Sequence, residues 1–119
     1  MVLPLLAVLA AAGQAEAGDA ENGEKVFRKC KACHQVGDNA KNRVGPALNG
    51  IVGRAAGTVE GFKYSKVMAE SGLTWDEATL DGYLTNPKKF LPGNKMAFPG
   101  VKDEGDRADV IAYLSQFSE

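Results

Sequence analysis

Apolar residues recur at helical spacing near both ends of the main body of the chain, and strand-like alternation is missing in between. In GDAENGEKVFRKC, residues 18–30, Gly23, Val26, Phe27 and Cys30 stand at i, i+3, i+4 and i+7. That stripe predicts a helix capped by Asp19, with Glu21 in its first turn, which delivers the cysteine inward. In KDEGDRADVIAYLSQF, residues 102–117, Val110, Tyr113, Leu114 and Phe117 make a second stripe. Asp103, Glu104 and Asp106 precede it and complement the positive end of a helix dipole. The two helices are expected to pack on each other. A glycine inside a helix costs about 1 kcal/mol relative to alanine, so Gly23 predicts a close crossing.

Between these ends, LTWDEATLDGYL places Thr74 and Glu77 at capping-box spacing, which opens a helix that stops before Asn86-Pro87. YSKVMAES predicts a shorter helix after Tyr64. The stretches VGPALNGIVGRAAG and LPGNKMAFPG are loops punctuated by Gly and Pro. No internal repeat or low-complexity tract is present. The pattern predicts one small all-α domain whose long loops need something to wrap.

The first seventeen residues differ in character from the rest. An apolar run from Val2 to Ala12 is followed by Ala15-Glu16-Ala17, which reads as a secretory signal over residues 1–17 cleaved before Gly18, leaving a domain over 18–119. The run is too short to cross a bilayer, which takes roughly 20 apolar residues. The positively charged leader that should precede it is missing. A core-facing helix and an uncleaved membrane anchor are the alternatives. Export implies an oxidising compartment, where two free cysteines would ordinarily pair.

A chain of 119 residues holds one domain. Its formal charge of −1 gives no support for nucleic-acid binding. Both cysteines and the single histidine fall within five positions, Cys30-Lys31-Ala32-Cys33-His34. A thioredoxin-type pair needs a βαβ setting that this chain lacks. A structural zinc site needs four ligands, and the fourth here would have to be a carboxylate or water. Covalent haem attachment uses all three side chains: two thiols form thioethers and the adjacent histidine ligates iron.

Iron then needs a sixth ligand or an open position. With no second histidine, bis-histidine ligation is excluded. Met68, in helical SKVMAE, reads as core filler. Met96 lies in a loop stiffened by Pro92, Gly93 and Pro99 and is the better ligand. Ligation by His34 and Met96 favours ferrous iron, raises the potential and leaves no room for oxygen or substrate.

On GDAENGEKVFRKCKACH, VGPALNGIVGR, GFKYS, GLTWDEATLDGYLTNPKKFLPGNKMAF and DVIAYL, in that order and spacing, the chain from Gly18 onward resembles a class I cytochrome c, most like the bacterial cytochrome c2 type. The resemblance implies the all-α cytochrome c fold, with terminal helices crossing and loops wrapped around one covalent haem c, and electron transfer as the activity. It implies His34 and Met96 as axial ligands and the Pro46 carbonyl as partner of the other histidine nitrogen. Arg54, Tyr64 and Trp75 would surround a buried haem propionate. Tyr83 and Asn94 would lie near the methionine, and Phe98 against the haem edge. The segment between Phe27 and Cys30 is one residue shorter than in the mitochondrial proteins, which favours a bacterial origin. Met68 stands where many members have an asparagine.

An electron carrier of this kind makes and breaks no bond, so it is not an enzyme. Basic residues prevail from Arg28 to Lys66, and Lys88, Lys89, Lys95 and Lys102 form an acid-free stretch around Met96, while acids gather at Glu70 to Asp81 and Asp103 to Asp109. The leader and the resemblance together imply a monomer in the periplasm of a Gram-negative bacterium, and the charge separation predicts a lysine-rimmed haem edge, with Lys31, Lys88, Lys89 and Lys95, that steers acidic redox partners. The partners expected are a membrane quinol-oxidising (cytochrome bc1) complex as donor and a terminal oxidase, photosynthetic reaction centre or periplasmic dehydrogenase opposite it. Membranes enter only through those complexes. The competing readings are a membrane-anchored form and a gas-binding or peroxidase-like protein with a labile sixth ligand.

Overall fold

Asp19 accepts hydrogen bonds from the amides of Glu21 and Asn22 at 3.0 and 3.3 Å and so opens the first helix, α1, Ala20–Phe27. The structure, a computed structural model, describes residues 18–118. The leader expected at residues 1–17 lies outside the described residues. Among those described, four more helices follow: α2, Lys66–Ala69; α3, Glu77–Thr85; α4, Pro87–Phe90; and α5, Glu104–Leu114. The one extended pairing among the described residues is an isolated antiparallel bridge between Ala55 and Thr74. The rest of the described residues form loops and turns, as the sequence predicts.

The expected crossing is that of α1 on α5, the largest helix contact in the fold. A Cβ at Gly23 would strike the Asp109 carbonyl and lie 2.8 Å from the Tyr113 Cβ, so only glycine lets the backbones approach this closely. Phe27 packs on Tyr113 with ring centroids 5.5 Å apart, and Tyr113 on Phe117 at 5.1 Å. Ile111, which the sequence stripe omits, is buried beside Val110 and Leu114. Phe117 lies beyond the helix end, where its carbonyl accepts from the Gly50 amide at 2.6 Å.

Two local readings differ from what forms. The cap of α3 is Asp76, which accepts from the Thr79 amide at 2.8 Å, not Thr74. Thr74 is held extended by its bridge to Ala55, and the Trp75 amide donates to the Arg54 carbonyl, so the helix cannot begin until those pairings end. After α3, Asn86 ends one helix and starts another. Its extended backbone is the conformation a residue before proline prefers, and its side chain accepts from the Lys89 amide at 3.2 Å. Pro87 at the first position of α4 forfeits no helical bond. Buried Arg107 joins α5 to α3 through Asp81 at 2.7 Å and donates to the carbonyls of Val101 and Lys102. These contacts fix the loop that precedes α5 and the cavity it walls.

Candidate cofactor site

The chain leaves α1 in tight turns: the Cys30 amide donates to the Phe27 carbonyl, and the amides of Cys33 and His34 both donate to the Cys30 carbonyl. These turns set both thiols and the imidazole on the wall of a cavity of about 370 Å³. Pro46, Arg54, Tyr64, Trp75, Tyr83, Asn94, Met96 and Phe98 line the same cavity, so every site residue expected from the sequence is brought to one place. Most of the remaining wall is aliphatic or aromatic, including Phe27, Leu48, Ile51, Leu80, Val101, Val110 and Leu114. Close-packed interiors hold few voids larger than a water molecule, whereas ligand sites occupy roughly 300–1,000 Å³. The cavity therefore belongs with binding sites.

His34 is fixed from behind. Its Nδ1 lies 2.8 Å from the Pro46 carbonyl. A carbonyl can only accept, so Nδ1 carries the proton and Nε2 is left with its lone pair. Burial lowers the histidine pKa, partly opposed by the Pro46 bond, and this favours the neutral ring that metal ligation needs. The chain passes directly over the ring at Gly45, whose amide donates to the Cys33 carbonyl at 2.8 Å. Cys30 and Cys33 are free thiols, and burial, helped by Cys33, pushes Cys30 up to about 11. Among the described residues no three His, Cys, Asp or Glu side chains gather as a metal site of their own.

Met96 comes from the loop between α4 and α5. Its amide donates to the Asn94 side chain at 2.8 Å, and the Tyr83 hydroxyl lies 3.5 Å from its sulfur and 3.4 Å from Asn94 Oδ1. Trp75 and Phe90 hold the Tyr83 ring at centroid distances of 5.0 and 6.0 Å, and burial raises the phenol to about 12. At another part of the wall, Arg54 donates to the Asn49 carbonyl at 2.8 Å, and the Tyr64 oxygen accepts from the Val59 amide at 3.0 Å. Met68, read from the sequence as core filler, is half-buried against the core and also lines the cavity.

A large, mainly apolar, iron-bearing group fits these residues. The walls offer apolar surface whose burial stabilises at roughly 25 cal/mol per Å². One imidazole nitrogen and one thioether sulfur form a donor set suited to haem iron, and two unpaired thiols stand beside them.

The lysines divide in a way the sequence does not reveal. Lys88 donates to the Asn94 carbonyl at 2.8 Å, and Lys95 to the Lys63 carbonyl at 2.6 Å while lying 5.8 Å from the Phe62 ring centre. Both therefore brace loops as well as carrying charge. Lys31 and Lys89 are exposed. Val44, 76% exposed, is an apolar residue at the cavity rim that no sequence pattern marks.

Comparison with known proteins is consistent in family and extent. The family model described as Cytochrome c matches residues 20–118. Cytochrome c2 of Rhodoblastus acidophilus is 58% identical over 101 residues, covering 85% of this chain and 94% of that protein. Cytochrome c2 of Rhodomicrobium vannielii is 61% identical over 99 residues, covering 83% and 79%. The solved structure of cytochrome cH from Methylobacterium extorquens superposes with a TM-score of 0.79 at 50% identity, covering 83% of this chain and 99% of that one.

Proposed function

The chain belongs to the class I cytochrome c family, bacterial cytochrome c2 type, and from that premise we propose that it shuttles single electrons between a membrane quinol-oxidising complex and a second redox protein. In coarser terms it is a single-haem electron carrier with the all-α cytochrome c fold and one covalently attached haem c. The bound group supplies the ferric–ferrous couple.

The positions of the chain's own residues support a role for each. Cys30 and Cys33 hold the group through thioethers. His34 presents Nε2 to the iron, kept in that tautomer by Pro46, and Met96 presents its thioether. With His34 and Met96 both holding the iron, no position would remain for oxygen or a substrate, which favours a carrier over an enzyme. Arg54, Tyr64 and Trp75 receive a propionate whose charge would be costly to bury unpartnered. Tyr83 and Asn94 support the methionine, and Phe98 borders the haem edge. The observation that carries this reading is that all eleven of these side chains line one cavity.

Electrons pass at the exposed edge, where contacts must form and part quickly, a demand that small, electrostatically steered interfaces meet. Lys31, Lys88, Lys89 and Lys95 supply the positive rim. The partner on the other side is a terminal oxidase, photosynthetic reaction centre or periplasmic dehydrogenase. The working form is a periplasmic monomer beginning at Gly18, after removal of the leader. The testing experiment is acid-acetone extraction and denaturing electrophoresis of the coloured protein, beside a Cys30→Ala/Cys33→Ala variant. Thioethers survive both treatments, so haem should stay on the native chain and leave the variant; haem lost from the native chain would refute covalent attachment at these residues.

A further inference from the structure

We propose that Asn94 is the positioning residue of the Met96 loop: its buried side-chain amide fixes the main chain at Met96 and thereby where the thioether stands. The proposal rests on the reading of Met96 as an iron ligand.

Asn94 is 4% exposed, and its bonding capacity is taken up within the protein. Nδ2 donates to the carbonyls of Pro87 at 2.9 Å and Leu91 at 2.8 Å. Those acceptors carry no proton, so the NH₂ must face them and the amide has a single possible orientation. Oδ1 consequently faces the other way, accepting the Met96 amide at 2.8 Å with the Tyr83 hydroxyl at 3.4 Å. The Asn94 carbonyl accepts from Lys88 at 2.8 Å, and its amide donates to Leu91 at 3.2 Å. One side chain therefore joins α4, whose start Asn86 and Pro87 fix, to the ligand loop.

The loop's other ties are made by side chains: Lys95 donates to the Lys63 carbonyl at 2.6 Å and Lys102 to the Pro99 carbonyl at 2.9 Å. Among the described residues no helix and no backbone-to-backbone hydrogen bond involves positions 95–100; the Met96 amide goes to the Asn94 side chain instead. The next backbone bond along the chain runs from Val101 to the Leu84 carbonyl at 2.7 Å. Removing the Asn94 amide would leave buried carbonyls without donors and free the Met96 main chain to move, and the sulfur with it. Asn94 thus acts through Met96, with both of its amide protons committed to protein carbonyls.

The test compares holoproteins of the wild type, Asn94→Ala, Asn94→Ser and Gly23→Ala. The readouts are the weak far-red iron–sulfur band of the oxidised form, carbon monoxide affinity of the reduced form, and loss of helical ellipticity on heating. Asn94→Ala should lose most of the band at 25 °C and bind carbon monoxide at least tenfold more tightly. Asn94→Ser keeps an acceptor for the Met96 amide but cannot serve both carbonyls. It should keep the band at 25 °C and lose it on warming well before the helices melt, by a wider gap than in the wild type. Gly23→Ala, at the α1–α5 crossing, should melt earlier with the same gap between band and ellipticity as the wild type. An Asn94→Ala protein with the full band and wild-type carbon monoxide affinity would overturn the proposal. If Asn94→Ala yields no holoprotein, Asn94→Ser decides, and equal gaps in it and the wild type overturn the proposal. A wild type that lacks the band overturns the Met96 assignment, and the proposal with it.

Discussion

Gly45 lies so close to the imidazole of His34 that a Cβ at position 45 would overlap the ring. The same turn carries Pro46, whose carbonyl takes the Nδ1 proton at 2.8 Å. The glycine and the hydrogen bond are thus one device, which places the ring and sets its tautomer. Gly45→Ala must push the ring or the turn aside. Overpacking of this kind costs about 1–3 kcal/mol, and a longer Nδ1 bond weakens the basicity of the ligand. Denaturant unfolding of the holoprotein should show the loss of stability, and electrochemistry a shifted reduction potential. Wild-type values for both would mean that the turn accommodates a methyl group without moving His34.

How much of this was legible depended on how local the signal was. Cys30, Cys33 and His34 fall within five positions, so their spacing alone limits the chemistry. The α1–α5 crossing is legible in Gly23 because a glycine within a helix needs a packing reason. Arg54 and Tyr64 stand apart in the long connection between α1 and α2 and Trp75 lies between α2 and α3, and only resemblance to a family links them before the fold is seen. The Asn94 bonds depend on carbonyls presented by α4, and carbonyl directions have no sequence pattern. For α4 the signal was present but ambiguous: Asn86-Pro87 marks the end of a helix and, equally, an Asn cap with Pro at the first position of the next. Thr74 and Glu77 have capping-box spacing, but the pairing of Thr74 with Ala55 is tertiary and prevails over the local preference.

Asp76, the cap that takes the place of Thr74, should make the start of α3 sensitive to acid. Its bond from the Thr79 amide holds the carboxyl below its ordinary pKa of 3.8. A depressed folded-state pKa contributes stability above the unfolded value that is lost as pH falls from there through the folded value. Asp76→Asn retains a cap oxygen that does not titrate. Thermal melts from pH 6 to pH 2 should show the wild type losing its advantage over Asp76→Asn below about pH 4. A constant difference across that range would show that the cap does not titrate with folding.

Lys89 offers a cleaner test of docking than Lys88. Lys88→Glu would remove a bond to the Asn94 carbonyl along with the charge, whereas Lys89 is exposed on α4. Lys89→Glu should slow association with an acidic redox partner by about threefold or more at low salt, with the effect on the association rate. Exposed charges are screened beyond about 10 Å at 0.1 M ionic strength, so the defect should shrink as salt rises. Stopped-flow rates that match the wild type at every ionic strength would remove Lys89 from the docking surface.

Two methionines line the cavity, and only one is assigned to the iron. Met96 lies beside the Tyr83 hydroxyl, 3.5 Å from its sulfur, on a loop held by Asn94. Met68 sits on α2, whose cap Ser65 accepts from the Met68 amide at 3.2 Å, and packs half-buried against the core. Met96→Ala should abolish the far-red band of the oxidised protein, let the reduced protein bind carbon monoxide, and lower the reduction potential, because a thioether that favours ferrous iron is gone. Met68→Ala should keep the band and cost about 2 kcal/mol of stability, the low end for truncating a buried methionine. The two variants therefore part on the spectrum, one losing the band and the other keeping it. A band lost with Met68 and kept without Met96 would exchange their roles. A native protein that binds carbon monoxide as readily as Met96→Ala has a labile sixth position, which makes it a gas-binding or peroxidase-like protein and not a carrier.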